Sequence, residues 1–310
     1  MEKHRVRQHI VPQAYLKKFA QKNVNNSGAN ISVYQKENNR QFNCAVKNDA
    51  FEKNYYDVTN KENTKYWEEH FATHIEPLYG NELTNIISSI MLSNSNENVL
   101  NPSQKFSLAM MIVFQIIRVP KFLKGRFQNG EVIFDETIRE LTKLMPMEFI
   151  SKNIEVLEDL ERERKNLIKD ITIELIAQHD MLVRLAKYIE NRTWLFYINN
   201  TEIPFVTSDN PVLMFNFVTN SINREDVGIG RDDTIVYYPL TSRILLELLP
   251  QNEDYKRFDN SIIVLGNEKL KFVKSLNTGQ LLGSHKQVFM HPRHSFSKNQ
   301  LFSIFDTTNT

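Results

Sequence analysis

Hydrophobic residues recur with two different periods along the chain. A period of two, typical of half-buried strands, marks several short segments near the N-terminus and after residue 193. These segments are residues 31–34, 42–46, 194–198, 203–207, 234–240, 244–249 and 287–290. A period near four, typical of amphipathic helices, marks most of the middle of the chain. The pattern predicts an α+β fold with an N-terminal β-hairpin, a central helical block and a C-terminal, mainly antiparallel sheet with a late helix over 267–282.

The helical block has one segment that should be its centre. Asn101-Pro102-Ser103 is a strong helix start, because proline suits the first helical turn. The residues that follow are apolar almost all round, which predicts a buried helix that ends near Pro120. Further helices are predicted by the segments 63–87, 135–144 and 154–192, with a basic connector over 121–129.

Two other segments, a short N-terminal helix and a long polar loop, could contribute to a functional site. Residues 9–20 should form a short helix, because Pro12 fits its first turn and apolar residues follow at helical spacing. Residues 216–233 are polar and contain Gly228 and Gly230, so we predict a loop that could act as a lid. The chain is expected to be one domain over 1–310 with two packed lobes. The helical lobe comprises 60–192, and the β-containing lobe comprises 8–58 and 193–310.

Composition narrows the class of protein. The 310 residues are 41% hydrophobic and 24% charged, which is typical of a soluble protein with a sizeable core. The net charge of +1 gives no global attraction to nucleic acid or membrane, although a local basic patch stays open. Cys44 is the single cysteine, which excludes an intramolecular disulfide and favours a cytoplasmic location. The longest apolar stretch is far short of the roughly 20 residues that a membrane span needs.

Candidate chemistry concentrates in a polar tetrad, Thr207, Ser208, Asp209 and Asn210, which lies between apolar residues. Buried polar side chains are costly unless they bond one another, the backbone or a ligand. Asx and hydroxyl residues before a proline also make turns. The tetrad is therefore either a well-made turn or the floor of a site.

Two further polar pairs lie at helix ends, where pockets often form. His9 and Gln13 flank the start of the first helix, and Gln115 and Arg118 lie near the end of the central one. A buried arginine is either paired with a carboxylate or reserved for an anionic ligand.

Three segments together resemble the bacterial family called domain of unknown function 4238. They are residues 9–20 (HIVPQAYLKKFA), 115–120 (QIIRVP) and 204–212 (PFVTSDNPV). The resemblance covers roughly residues 8–290 and extends to Tyr238-Pro239-Leu240-Thr241 and to Asn277. It implies that the polar residues of the family motifs are His9, Gln13, Gln115, Arg118, Thr207, Ser208, Asp209 and Asn210. The resemblance also implies a role in defence against phage or mobile elements, which is suspected of such family members.

The resemblance and the residue types together give a first hypothesis, phosphoester hydrolysis by a nuclease in anti-phage defence. His9 would act as general acid or base, and Arg118 would clamp a phosphate oxygen. Asp209 would orient His9 or bind a divalent metal such as Mg²⁺. The substrate, a nucleic acid or nucleotide, would be held by the remaining polar residues, Gln13, Gln115, Thr207, Ser208 and Asn210. A partner protein or a second copy of the chain is a further possible binding partner.

Two alternatives stay open. The chain is a non-catalytic ligand-binding or sensor module if its polar residues serve an anion pocket. The third reading is a buried hydrogen-bond network that holds the helical lobe against the sheet. It predicts that Asp209→Ala or Arg118→Ala unfolds the protein.

Overall fold

The computed structural model describes residues 7–22, 28–48, 50–53, 69, 73, 75–93, 97–176 and 178–294. The fold is α+β, with strands near the N-terminus, helices in the centre and a C-terminal sheet with a late helix, as predicted. The described helices are α1 (Gln13–Leu16), a π-helical turn (Leu78–Glu82) leading into α2 (Leu83–Leu92), α3 (Pro102–Arg118), α4 (Pro120–Leu144), α5 (Met147–Lys152), α6 (Ile154–Ile176), α7 (His179–Glu190), α8 (Glu253–Lys256) and α9 (Leu270–Gly283).

The strands form two five-stranded arrangements and one short pair. They are β1 (Arg7–His9), β2 (Gln21–Lys22), β3 (Ala29–Gln35), β4 (Arg40–Ala45), β5 (Phe51–Lys53), β6 (Thr193–Asn199), β7 (Thr207–Ser208), β8 (Leu213–Asn216), β9 (Thr234–Pro239), β10 (Ile244–Leu249), β11 (Ser261–Leu265) and β12 (Gln287–Met290). The first sheet has the order β2-β3-β12-β7, with β4 paired to β3; the second has the order β11-β6-β10-β9-β8; and β1 pairs with β5.

The first sheet joins the two ends of the chain. The predicted hairpin is confirmed, since β3 and β4 are antiparallel neighbours in the register Val33 to Phe42. The last strand, β12, then pairs with β3 on one side and with β7 on the other. The polar tetrad that begins in β7 is therefore held in the same sheet as the N-terminal hairpin.

The second sheet separates two cores. Along β6 and β10 alternate side chains point to opposite faces, as the period of a strand requires. Trp194, Phe196 and Leu246 belong to the large core that includes α3. Tyr197 and Leu245 belong to the smaller core under α9. The neighbouring strands of the second sheet are antiparallel, except that β11 runs parallel to β6.

The central helix α3 follows the sequence prediction closely. Asn101 caps it with a reciprocal capping box, in which its side chain accepts from the Gln104 backbone N–H and the Gln104 side chain accepts from Asn101 N–H. Such a box satisfies backbone donors that the first helical turn leaves open. Most of the helix is buried, including Gln115 and Arg118, and it packs against α7.

Three local predictions are corrected. The expected connector over 121–129 is helical, because α4 begins at Pro120 and places apolar side chains at helical spacing from Phe122 onward. The single long helix over 154–192 is divided between α6 and α7. The strand over 203–207 is reduced to Thr207–Ser208, because an α9 side chain, Asn277, takes the backbone bonds of Pro204 and Val206.

The helix predicted over 63–87 lies partly outside the described residues, and its described part from 75 onward is helical. Among the described residues, none of the helices combines the length and the apolar character that crossing a bilayer requires. The two-lobed single-domain organisation stays a prediction.

Candidate functional site

Four of the polar residues singled out in the sequence lie together where α1 meets α3. The side-chain nitrogens Gln13 Nε2 and His9 Nε2 are 3.3 Å apart. Arg118 Nη2 donates to the backbone carbonyl of His9, and Gln115 Nε2 donates to the carbonyl of Ile10 at 3.2 Å. The resulting N-terminal cluster, His9, Gln13, Gln115 and Arg118, ties the first residues of the fold to its central helix.

Arg118 is used by the protein itself. Its side chain is 1% exposed, and besides the His9 carbonyl it faces the Glu76 carboxylate at 3.9 Å. A buried guanidinium that already has a carbonyl and a carboxylate has fewer donors left for a ligand. Gln115 Oε1 is also buried, and this atom has no hydrogen-bond partner among the described residues.

Thr207 contacts the N-terminal part of the fold through a tyrosine. The Tyr15 hydroxyl donates to the carbonyl of Pro239 at 2.6 Å, so the Thr207 hydroxyl donates to Tyr15 at 2.8 Å. All of these atoms are buried. This chain of bonds joins α1, β7 and the end of β9.

Asp209 is held by the turn between α9 and β12. Its two carboxylate oxygens accept from the backbone N–H groups of His285 at 2.7 Å, Lys286 at 2.6 Å and Gln287 at 3.0 Å. Burial raises the pKa of the Asp209 carboxyl, and the three backbone donors oppose that rise. The carboxylate therefore satisfies three backbone donors at this turn.

The remaining tetrad residues bond to the same end of α9. Ser208 donates to Gln280 Oε1 at 2.8 Å, and Asn210 Nδ2 donates to the Gly283 carbonyl at 3.0 Å. Gln280 in turn donates to the Pro211 carbonyl at 2.8 Å. The structure thus gathers Ser208, Asp209 and Asn210 around α9, whereas His9 and Arg118 are gathered around α3. Their predicted catalytic and binding roles stay predictions. Across the described part of the chain, no group of three or more side chains of the metal-ligating types is gathered.

A cavity of about 1130 Å³ lies among the helices. Four helices, α3, α4, α6 and α7, each contribute one stripe of side chains at helical spacing, for example Val113, Ile116 and Ile117 from α3. The segment 210–214 and the loop 216–233 complete the lining. Ile116, Ile117, Val119 and Val212 come from two of the three family segments, so those segments contribute their apolar members to the cavity wall.

The lining is mostly apolar but carries a surplus of positive charge. Three arginines line the cavity, Arg126 from α4, Arg184 from α7 and Arg224 from the loop. One carboxylate, Asp180, accompanies them among the described lining residues. Large apolar pockets with a few placed polar groups are the usual form of small-molecule sites. This arrangement suits a ligand with an apolar body and an anionic group.

Arg126 and Arg224 share one aromatic ring. Their guanidinium carbons lie 5.2 Å and 5.7 Å from the centre of the Phe122 ring. Burial and the neighbouring Arg126 both lower the pKa of Arg224. Among the described residues neither arginine forms an ion pair with a carboxylate, so the two cations are compensated by the ring and by solvent.

The loop predicted as a lid lies over this cavity. It contributes Ile222, Arg224, Val227 and Ile229 to the lining. Its far end is fastened by Arg192, which donates to the carbonyls of Ile229 and Thr234. Burial lowers the pKa of Arg192 to about 10. The loop therefore forms part of the cavity wall, and its action as a lid stays a prediction.

The sequence signal for the cavity was present but weak. The basic character of 121–129 was visible in the sequence, but no helix was predicted there. Without that helix, the sequence could not indicate that Arg126 lies near the loop. Arg184 and Arg224 belong to a helix and a loop that the chain separates by 40 positions. Apolar stripes on four helices are ordinarily core, and nothing in their spacing distinguishes a filled core from a cavity.

The comparisons with known proteins give one match. The model of a family described as protein of unknown function (DUF4238) matches residues 7–294, nearly the whole chain. No curated protein and no solved structure matches the chain.

Proposed function

The chain belongs to the DUF4238 family, and we propose that it is a non-catalytic module that binds a small molecule with an apolar body and an anionic group. The observation that carries this proposal is the cavity of about 1130 Å³ with its three arginines. Pockets for drug-sized ligands span about 300–1,000 Å³, so a long chain or several rings would fit here.

The environment of the motif residues favours binding over catalysis. The Asp209 carboxylate accepts three backbone N–H bonds, and a carboxylate so engaged is poorly placed to orient His9 or to bind a metal ion. Arg118 is directed at His9 and Glu76. The apolar neighbours Ile117 and Val212 line the cavity instead. Residues of the family segments thus contribute to the cavity wall.

Calorimetric titration with dodecanoate tests the proposal. Wild-type protein should bind this anionic twelve-carbon chain saturably, and the cationic dodecyltrimethylammonium more weakly. Met181→Trp places a larger side chain in the lining and should weaken dodecanoate binding at least roughly tenfold, the loss of about 1.4 kcal/mol.

Tyr188→Trp is the matched control, because Tyr188 lies on the same helix but is 60% exposed and does not line the cavity. It should bind dodecanoate like the wild type. Equal binding by Met181→Trp, or equal binding of the cationic chain, would contradict the proposal. Circular dichroism melting of both variants separates loss of the pocket from loss of the fold.

Phosphoester hydrolysis by a nuclease of anti-phage defence is the second candidate. The observation in its favour is the proximity of His9, Gln13, Gln115 and Arg118 at one end of α3. Purified protein with Mg²⁺ should then degrade RNA, DNA or nucleotides, and His9→Ala should abolish degradation without lowering the melting temperature. Degradation that survives His9→Ala would remove this candidate.

A further inference from the structure

We propose that Arg126 and Arg224 form a headgroup subsite for a phosphomonoester, so that the ligand of the cavity is an alkyl or acyl chain ending in a phosphate. The inference rests on the proposed binding function and names its ligand class. It is carried by the geometry of two guanidinium groups at one aromatic ring, on the wall of a large apolar cavity, neither of which forms an ion pair within the described part of the chain.

The Arg224 guanidinium lies directly against the backbone of α4. A Cβ atom added at Gly125 would come within 1.2 Å of Arg224 Nη1 and 2.4 Å of its Cζ. Glycine at this position leaves room for the guanidinium beside Phe122. Glycine in a helix interior costs about 1 kcal/mol relative to alanine, so the close approach has a price in helix stability.

The balance of charge favours a dianion over a monoanion. Arg126, Arg184 and Arg224 line the cavity with Asp180 as the one carboxylate among the described lining residues, and no histidine lines it. A guanidinium presents a planar fork that fits phosphate oxygens in bidentate fashion. Two guanidinium groups near one ring can each engage a phosphomonoester, whereas a carboxylate has only two oxygens to share between them.

Chain-matched ligands provide the test. Dodecyl phosphate, dodecanoate and inorganic phosphate are titrated into the wild-type protein at pH 5.5 and pH 7.5, each below the concentration at which it aggregates. Dodecyl phosphate should bind roughly tenfold more tightly than dodecanoate at pH 7.5. This preference should shrink at pH 5.5, since a phosphomonoester loses its second proton at about pH 6. Inorganic phosphate should bind far more weakly than dodecyl phosphate.

Three variants locate the subsite. Arg126→Gln and Arg224→Gln should each remove most of the preference for phosphate over carboxylate, while dodecanoate still binds. Gly125→Ala keeps every charge and displaces only the flexible end of Arg224, so it should reduce the same preference in a protein at least as stable as the wild type. Arg139→Gln is the matched control, because Arg139 is exposed on the same helix, as Arg126 is, but lies outside the cavity lining.

The outcomes separate the two proposals. Dodecanoate binding that depends on Met181 but shows no preference for phosphate would overturn the headgroup subsite and leave the binding module standing. Failure of every twelve-carbon anion to bind would overturn both. Inorganic phosphate binding as tightly as dodecyl phosphate would show a site for free phosphate and would overturn the alkyl chain as part of the ligand. A loss of preference in Arg139→Gln equal to that in Arg126→Gln would also overturn the assignment.

Discussion

Tyr15 and Tyr238 are stacked in the core, but their hydroxyl groups have different surroundings. The two rings are nearly parallel, with centroids 5.3 Å apart. The Tyr15 hydroxyl bonds to both Pro239 and Thr207. The Tyr238 hydroxyl is buried and has no hydrogen-bond partner among the described residues. Burial raises the pKa of each tyrosine well above the ordinary value for a tyrosine, so both hydroxyls stay protonated.

Removing each hydroxyl should therefore have opposite effects. Tyr238→Phe removes a buried donor that lacks a partner and should raise the free energy of unfolding by about 1 kcal/mol. Tyr15→Phe leaves the Pro239 carbonyl and the Thr207 hydroxyl without their partner and should lower it by about 1–3 kcal/mol. Urea denaturation of the two variants measures both values. Equal destabilisation by the two changes would show that the Tyr238 hydroxyl is satisfied.

Glu247 is a buried carboxyl in the smaller core. The Tyr197 hydroxyl donates to it at 2.6 Å, and Tyr237 bonds to it as well. Burial raises the pKa of Glu247, and the two tyrosine hydroxyls oppose that rise. The folded state therefore holds a proton on this group at a higher pH than the unfolded state does.

The sign of the resulting pH dependence follows by linkage. A carboxyl whose pKa is raised by folding adds stability below its unfolded pKa, and that contribution is lost as the pH rises through its folded pKa. The free energy of unfolding of the wild type, relative to Glu247→Gln, should fall as the pH rises from 4 to 7. Denaturation at several pH values measures this difference. Glu202→Gln, at an exposed position, is the control, and a difference that rises with pH would contradict the prediction.

At this scale the sequence identified the residues better than their partners. It indicated that Arg118 and Gln115 lie side by side near a helix end, and they do. It could not indicate that Asp209 bonds to backbone groups 76 to 78 positions later, because any residue type supplies a backbone N–H. A polar motif between apolar residues has the same appearance whether its partners are ligands or backbone.

At the scale of elements, α9 takes the place of a neighbouring strand. Asn277 accepts from Val206 N–H at 3.0 Å and donates to the Pro204 carbonyl at 2.9 Å. One carboxamide thereby makes the two bonds that a paired strand would make. This explains why residues 203–206 are buried, as their pattern indicated, without being part of a sheet.

Asn277→Ala should destabilise the protein by about 3 kcal/mol. The change leaves one buried N–H and one buried carbonyl without partners, at about 1–3 kcal/mol each. Lys271→Ala, at an exposed position of the same helix, should change the free energy of unfolding by less than about 0.5 kcal/mol. Chemical denaturation compares the two. If Asn277→Ala unfolds at the wild-type denaturant concentration, α9 is not needed to fasten the segment.

The helices themselves differ in how well local sequence specifies them. Asn101, Pro102 and Gln104 are local signals that mark the start of α3. The start of α4 is obscured by Gly125, Gly130 and two lysines, Lys121 and Lys124, which suggest a connector. Packing overrides that suggestion, since Arg224 lies against Gly125 and Ile168 lies against Gly130. Such contacts are made by distant residues, so a local pattern cannot reveal them.

At the scale of the whole molecule, the second sheet divides two kinds of environment. On one side, α9 and the turn after it bond to Ser208, Asp209 and Asn210. On the other side, the helices line the cavity. Asn210 is common to both, because it bonds to Gly283 and also lines the cavity. The tetrad thus reaches the cavity through Asn210, whereas Thr207, Ser208 and Asp209 lie outside its lining.

Hydrogen exchange with and without dodecyl phosphate should show this division. A bound ligand opposes local opening of the elements it contacts, so amides of α4, α7 and the loop 216–233 should exchange more slowly. Amides of β3 and β4, which lie outside the lining, should change little at the same ligand concentration. Met181→Trp serves as the control, and dodecyl phosphate should not slow amide exchange in this variant. Protection centred instead on residues 9–13 and the end of α3 would place the ligand at the N-terminal cluster, and would favour the phosphoester hydrolase over the binding module.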